Sequence, residues 1–256
     1  MSDKAGRDGA GGPPEFLRVA GQSIAYRLRE GAPPTLVFLP GYASDMEGAK
    51  AVAIDTFAEK RGLGMLRIDY SGTGSSSGRF EDGTLELWLN EACVAADRLT
   101  RGPLILIGSS MGGWIAMHVA LRMPERLRAL VGIAAAPDFT DWGFDTEARA
   151  KLAAEGRLGE PSADGSATPN LLTLAFWESG QKLRLLNKEI GIECPVRLIH
   201  GEQDSNVPIE TSAKAMRALR SGDVQLLTIK GGGHRLSEPH EIDAILRTIS
   251  EFVEPD

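Results

Sequence analysis

The sequence is short of cysteine, of cationic clusters and of long apolar runs, and each shortage excludes a class of protein. Its two cysteines, Cys93 and Cys194, cannot build a disulfide framework. They read as small buried hydrophobic residues. No apolar run approaches the roughly 20 residues that cross a bilayer. There are 28 basic residues against 35 acidic ones, a net charge of −7 with no dense Lys/Arg block, which argues against nucleic-acid binding. The opening stretch, MSDKAGRDGAGGPPEF, has neither the apolar core of a signal peptide nor an Arg-rich amphipathic helix, so the expected compartment is the cytoplasm. No Cys/His group has metal-ligand spacing, and neither a metal nor a cofactor is expected.

What is present is globular. Hydrophobic residues make up 42% and charged residues 25% of 256 positions, enough to bury a core without covalent staples. Residues 1–14 are rich in Gly, Pro and Asp and are expected to be disordered. Residues 15–256 are expected to form a single domain.

Short apolar runs alternate with helical patterns. Phe16–Val19 and Ile24–Leu28 read as a strand pair turning near Gly21-Gln22. Thr35–Leu39, Gly64–Asp69, Pro103–Ile107, Leu127–Ala134, Pro195–His200 and Val224–Ile229 read as strands. Helices are expected over Asp45–Arg61, Ser110–Arg122 and Ile209–Leu219. Two more are marked by one-sided apolar faces: Leu85, Trp88, Leu89, Ala92, Ala96 and Leu99, then Ile242, Ile245, Leu246, Ile249 and Phe252. Strands that are apolar on both faces, separated by amphipathic helices, predict an α/β protein with a mostly parallel sheet covered on both sides. Ligands bind such sheets at the carboxyl ends of the strands.

Residues 138–194 break the alternation. They carry Phe139, Trp142, Phe144, Phe176 and Trp177 and a polar loop, Gly159–Pro169. A structureless connection of that length is uncommon, so a mostly helical insertion over the strand ends is expected, a lid or cap. Its aromatics either face a substrate or pack the insertion's own small core.

Gly108-Ser109-Ser110-Met111-Gly112 fits the pattern G-x-S-x-G. The strand Leu104–Ile107 runs straight into it and a helical segment runs straight out. That context makes it a nucleophile elbow, a sharp turn that lifts the Ser110 hydroxyl above the sheet. Bulky neighbours would clash across so tight a turn, and glycines at 108 and 112 remove them. Ser109 reads as a packing neighbour. A serine hydroxyl needs a base, and the base needs an acid to orient it. With this elbow the chain order is Ser, then Asp/Glu, then His. Asp204 follows the strand Pro195–His200, and His234 follows the last strand behind Gly231-Gly232-Gly233. Of the other histidines, His118 lies within a helix, His200 is placed to cap backbone groups before a turn, and His240 opens a solvated helix. Asp138, after strand Leu127–Ala134, is the rival acid. Attack on an acyl carbon creates an oxyanion that two backbone N–H groups should bind. The expected donors are Met111 and Tyr42, the latter in the loop Pro40-Gly41-Tyr42-Ala43; its ring is also a candidate for the acyl pocket.

Gly72-Thr73-Gly74-Ser75-Ser76-Ser77 resembles a dinucleotide fingerprint but lacks the third glycine and does not open a helix, so NAD binding is not expected. The stretch reads instead as a flexible loop near the rim of the site, with Arg79 a candidate to face the pocket.

Elbow, acid loop and base loop together resemble the α/β-hydrolase serine hydrolases, from about Leu17 to Val253. Phe38-Leu39-Pro40-Gly41-Tyr42, Asp69 through Ser76 and Gly108 through Trp114 are similar to the mitochondrial branch called α/β-hydrolase domain-containing protein ten. Cys194 through Leu198, His200 through Asp204 and Val207-Pro208 resemble it as well. The resemblance implies an α/β-hydrolase fold with Ser110, Asp204 and His234 as nucleophile, acid and base. It also implies palmitoyl-protein thioesterase or acyl-glucuronide esterase activity. A mitochondrial presequence is not seen, which suggests a bacterial or cytosolic relative. The expected function is thus a cofactor-free serine hydrolase cleaving small-molecule or acyl-protein esters or thioesters through an acyl-enzyme. An acyltransferase using the same acyl-enzyme, or a non-catalytic ligand-binding protein of this fold, are the alternatives.

Overall fold

Two strands at the edge of the main sheet come first. The computed structural model describes residues 12–253. For residues 1–11 the expected disorder lies outside the described residues. Glu15–Val19 (β1) and Gln22–Arg29 (β2) pair antiparallel around Ala20-Gly21, both at positive φ, as a two-residue hairpin turn requires. Ala32–Leu39 (β3), helix Ala49–Lys60 (α1), Leu63–Ile68 (β4), helix Leu85–Leu99 (α2), Leu104–Ser109 (β5), helix Met111–Arg122 (α3) and Leu127–Ile133 (β6) follow.

Residues 138–194 hold the short helix Phe139–Trp142 (α4), helix Thr146–Glu155 (α5), the two-residue strands Arg157–Leu158 (β7) and Leu172–Thr173 (β8), and helix Leu174–Lys182 (α6). The segment is less helical than expected: its three helices cover under half of it, and the rest is turns and loop with the small β7–β8 pair. Val196–Gly201 (β9), helix Ile209–Ala218 (α7), Val224–Ile229 (β10) and helix Pro239–Ser250 (α8) complete the chain.

The main sheet has the order β1-β2-β4-β3-β5-β6-β9-β10. β2 meets β4 antiparallel, and every pairing from β4 to β10 is parallel. The period of two divides the central strands between two cores. Val37, Leu39, Leu104 and Leu106 join Trp88, Leu89 and Trp114 of α2 and α3. Leu36, Phe38, Ile105 and Ile107 join Ile54 and Phe57 of α1 and Ile245 and Ile249 of α8. All eight strand residues are buried, so neither face of the sheet centre meets water. Each such large apolar side chain contributes about 1.5–3 kcal/mol. Among the described residues, no helix is long and apolar enough to cross a membrane.

Three further expectations are corrected. The first helix begins at Ala49, not Asp45, because the Met46 N–H donates to the Asp69 carboxylate (2.7 Å) and the Asp45 side chain accepts from Glu47 N–H (2.9 Å). Those bonds hold residues 45–47 in a turn. The loop Ser71–Gly78 is not a loose rim. Ser76 and Ser77 hydroxyls accept from Ala25 and Ser23 N–H at 2.7 and 2.8 Å, and Asp69 accepts from Ser75 N–H at 2.8 Å, fastening the loop to β2 and β4. The two cysteines are free but half-buried rather than buried.

Candidate active site

Ser110 occupies the single position between β5 and α3, with φ 55° and ψ −122°. A side chain held in that region costs about 1–3 kcal/mol, and such strain persists only where the surroundings enforce it. Here they do. A Cβ on Gly108 would lie 2.2 Å from the Gly112 carbonyl oxygen, and one on Gly112 would lie 2.0 Å from the Leu39 carbonyl oxygen. Only glycine allows α3 to start so close to β3 and β5. The Ser110 N–H donates to Ile133 O (2.9 Å), and its carbonyl accepts from Gly113 and Ala136 N–H (2.9 and 3.0 Å). The hydroxyl does not cap the helix. It faces the His234 imidazole instead, Oγ to Nε2 3.1 Å.

The other ring nitrogen, His234 Nδ1, lies 2.8 Å from Asp204 Oδ2. His234 and Asp204 sit on the loops after β10 and β9, neighbouring parallel strands, so their carboxyl ends bring together residues thirty positions apart. The Asp204 side chain is 1% exposed. Its Oδ1 accepts from Asn206 and Val207 N–H, both at 2.9 Å. Burial alone would raise its pKa. Hydrogen bonds from His200, His234, Val207 and Asn206 outweigh burial and hold the carboxyl well below the usual range.

His200 is fully buried. Its Nε2 lies 2.9 Å from Val207 O and 3.4 Å from Asp204 Oδ2, and its Nδ1 lies 2.7 Å from Ser212 Oγ. A carbonyl can only accept, so Nε2 carries the proton. It caps a backbone group, as expected, but also backs the Asp204 carboxylate, a contact that sequence reasoning missed. His118 bonds the Leu183 carbonyl (2.8 Å) from within α3, and His240 is exposed at the start of α8. The rival acid Asp138 is engaged elsewhere: its two oxygens accept from Leu185 and Leu186 N–H at 2.8 and 2.7 Å.

Tyr42 lies in a turn closed by Ser44 N–H on Gly41 O (3.2 Å), with Ala43 at φ 52°. A Cβ on Gly41 would come 3.3 Å from both Ser109 O and Ser110 Cβ, so this turn runs directly against the elbow. Among the described residues, neither the Tyr42 nor the Met111 N–H donates to a protein acceptor.

A cavity of about 460 Å³ opens over Ser110 and His234. Ser44, Asp45, Lys50, Arg235 and Ser237 line it alongside Phe38, Tyr42, Ala49 and Ala51, a mixed polar and apolar wall, and from residues 138–194 only Pro169 reaches it. The aromatics of that segment are not there. Phe176 is 1% exposed and packs with Tyr42 and Trp88, and Phe139 packs with Tyr42 and Trp114. Arg79 is not in the lining either; it pairs with Glu81 at 2.7 Å. Lys50 and Arg235 had no sequence signal beyond the position of Arg235 next to His234. Lys50 Nζ bonds the Arg235 carbonyl. Burial, together with the Arg235 guanidinium and against the pull of Glu241, lowers its pKa to about 8.

A hydroxyl, an imidazole and a buried carboxylate in line, beside two backbone donors, can support acyl transfer. The model of the alpha/beta hydrolase family matches residues 36–246. The chain belongs to that family. It is 35% identical over 235 residues to the human mitochondrial palmitoyl-protein thioesterase ABHD10, covering 91% of this chain and 77% of that protein. The solved structure of alpha/beta hydrolase domain-containing protein 10 from mouse superposes with a TM-score of 0.86 at 33% identity, covering 94% of this chain and 98% of that one. A pimeloyl-[acyl-carrier protein] methyl ester esterase of Xylella fastidiosa (strain M12) is 30% identical over 179 residues, 57% of this chain and 70% of that protein. The chain is accordingly a hydrolase of α/β-hydrolase fold.

Proposed function

We propose that the chain hydrolyses carboxylic esters or thioesters through an acyl-enzyme on Ser110, with His234 as base and Asp204 as acid. The observation that carries this reading is the continuous line Ser110 Oγ–His234 Nε2 at 3.1 Å and His234 Nδ1–Asp204 Oδ2 at 2.8 Å, at a serine with φ 55°. The anionic Asp204 accepts the Nδ1–H of a neutral His234, which leaves Nε2 free to accept the Ser110 proton. Ser110 Oγ attacks the acyl carbon, and the N–H groups of Tyr42 and Met111 bind the oxyanion. His234 returns the proton to the leaving group, which departs as alcohol or thiol. A water molecule, deprotonated by the same imidazole, attacks the acyl-enzyme and releases the acid and free Ser110.

Names of relatives supply the substrate class: one is called a palmitoyl-protein thioesterase and another a methyl ester esterase. Residues 15–256 form the catalytic domain in this reading, residues 138–194 its cap, and the cytoplasm is its compartment. The test is hydrolysis of matched esters and thioesters of two to sixteen acyl carbons by wild type and Ser110→Ala. Ser110-dependent turnover is expected. Equal activity in the variant sinks the mechanism, and a preference for short chains sinks the palmitoyl assignment while keeping the chemistry.

A further inference from the structure

Tyr42 holds two positions at once. Its backbone lies in the turn against Ser110, whereas its side chain reaches into residues 138–194. The phenol Oη donates to the Leu171 carbonyl at 2.6 Å, a bond that crosses 129 positions of sequence. The ring sits edge-on to Phe80 and to Phe176, both at 5.0 Å between centroids, and also touches Trp88 and Phe139. Phe80 and Trp88 belong to the main domain, Phe139 and Phe176 to the segment. Tyr42 therefore stands where the two surfaces meet. Burial raises the phenol's pKa, so Oη remains a donor at any working pH.

The turn needs such a hold. Ala43 has φ 52°, a left-handed conformation that costs an L-residue about 1–2 kcal/mol. A strained turn relaxes unless its neighbours prevent it. The hold is also firm at its far end. Leu171 is 1% exposed and leads into β8. The segment around it is tied to the main domain by further polar contacts: Ser179 Oγ accepts from Glu86 N–H at 2.9 Å, Gly165 O from Phe80 N–H at 3.0 Å, and Leu183 O from Trp114 Nε1–H at 3.0 Å.

We infer that Tyr42 is a positioning residue: its side chain transmits the docking of residues 138–194 to the backbone N–H that receives the oxyanion. This rests on the reading of Tyr42 N–H as an oxyanion donor. An oxyanion forms only in the transition state, so displacing its donor raises the barrier and leaves substrate binding largely alone. Losing such a donor costs about 10²–10³-fold in kcat. A donor that is displaced but still present costs less, about tenfold.

The experiment is Tyr42→Phe, which keeps the ring and removes only the bond to Leu171. With a butanoyl thioester, kcat falls about tenfold and KM stays within about twofold. The Ki of a trifluoromethyl ketone that mimics the tetrahedral intermediate rises by the same factor as kcat falls, while the Ki of the product acid does not. Placing 4-aminophenylalanine at 42 restores a donor to Leu171 O and recovers most of the lost kcat; this arm stands even where the phenylalanine variant folds poorly. Unchanged kcat in Tyr42→Phe overturns the inference. So does a loss in which substrate, mimic and product affinities fall together, which is the signature of a structural role. Absence of Ser110-dependent hydrolysis in the wild type instead overturns the reading on which it rests.

Discussion

Asp204→Asn removes one charge and almost no volume, and the structure dictates how the amide must sit. Asp204 Oδ1 accepts from two backbone N–H groups, Asn206 and Val207. Those donors need an oxygen, so the amide oxygen stays with them and the NH2 group takes the Oδ2 position, 2.8 Å from His234 Nδ1. Two donors cannot face each other. The ring proton of His234 therefore shifts to Nε2, the atom 3.1 Å from Ser110 Oγ. An imidazole protonated there cannot take the serine proton.

In serine hydrolases a wrong tautomer of this kind lowers kcat about 10⁴-fold, which is about 5 kcal/mol of barrier. The assay is stopped-flow acylation with an activated ester, with a thermal melt alongside. KM should hold within about threefold, because nothing that touches the substrate has moved. The charge also matters for the fold. The folded pKa of Asp204 is depressed, so it adds stability that is present above the unfolded pKa, about 3.9, and is lost as pH falls through the folded value. Asp204→Asn should thus melt below wild type at neutral pH, and the gap should narrow in acid. A loss in kcat under about tenfold refutes the assignment of the acid. Asp138→Asn is the companion: it weakens the anchor of Leu185 and Leu186, and a kinetic loss at unchanged stability matching that of Asp204→Asn would transfer the role to Asp138.

Two stability experiments examine the strained and the buried groups of the site. Ser110→Gly should melt about 2–4 °C above Ser110→Ala, since glycine alone tolerates φ 55° without strain; equal melting temperatures would show that the elbow stores none. Lys50 carries an ammonium half-buried in the first turn of α1, where the helix dipole also opposes a cation. Its folded pKa of about 8 lies below the ordinary 10.5, so its cost is full below pH 8, is relieved as the pH rises towards 10.5, and is absent above it. Lys50→Met should therefore be the more stable protein at pH 7, with an advantage that shrinks over that range, and a difference independent of pH would contradict the argument.

Much of the site was legible because its parts are local. The elbow is a strand, a turn with two glycines and a helix within a few residues, and steric exclusion at Gly108 and Gly112 leaves little else for that string to do. Asp204 and His234 were legible through chain order, since parallel strands deliver their following loops to one edge of the sheet. The rest depended on partners that no window of sequence contains. Met46 gives its N–H to Asp69 and so delays α1, a contest between local helix preference and a buried carboxylate. Asp138 looked like a possible acid by position and became an anchor because Leu185 and Leu186, far along the chain, present unpaired N–H groups to it. Phe139 and Phe176 could as well have lined a groove; packing against Tyr42, Trp88 and Trp114 closed that option. Hydrophobic period and glycine sterics, which act over a few residues, determined the strands, the helices and the elbow. Packing and the satisfaction of buried polar groups act across the whole chain, and they decided the rest: where α1 begins, what Asp138 holds and where Phe139 and Phe176 lie.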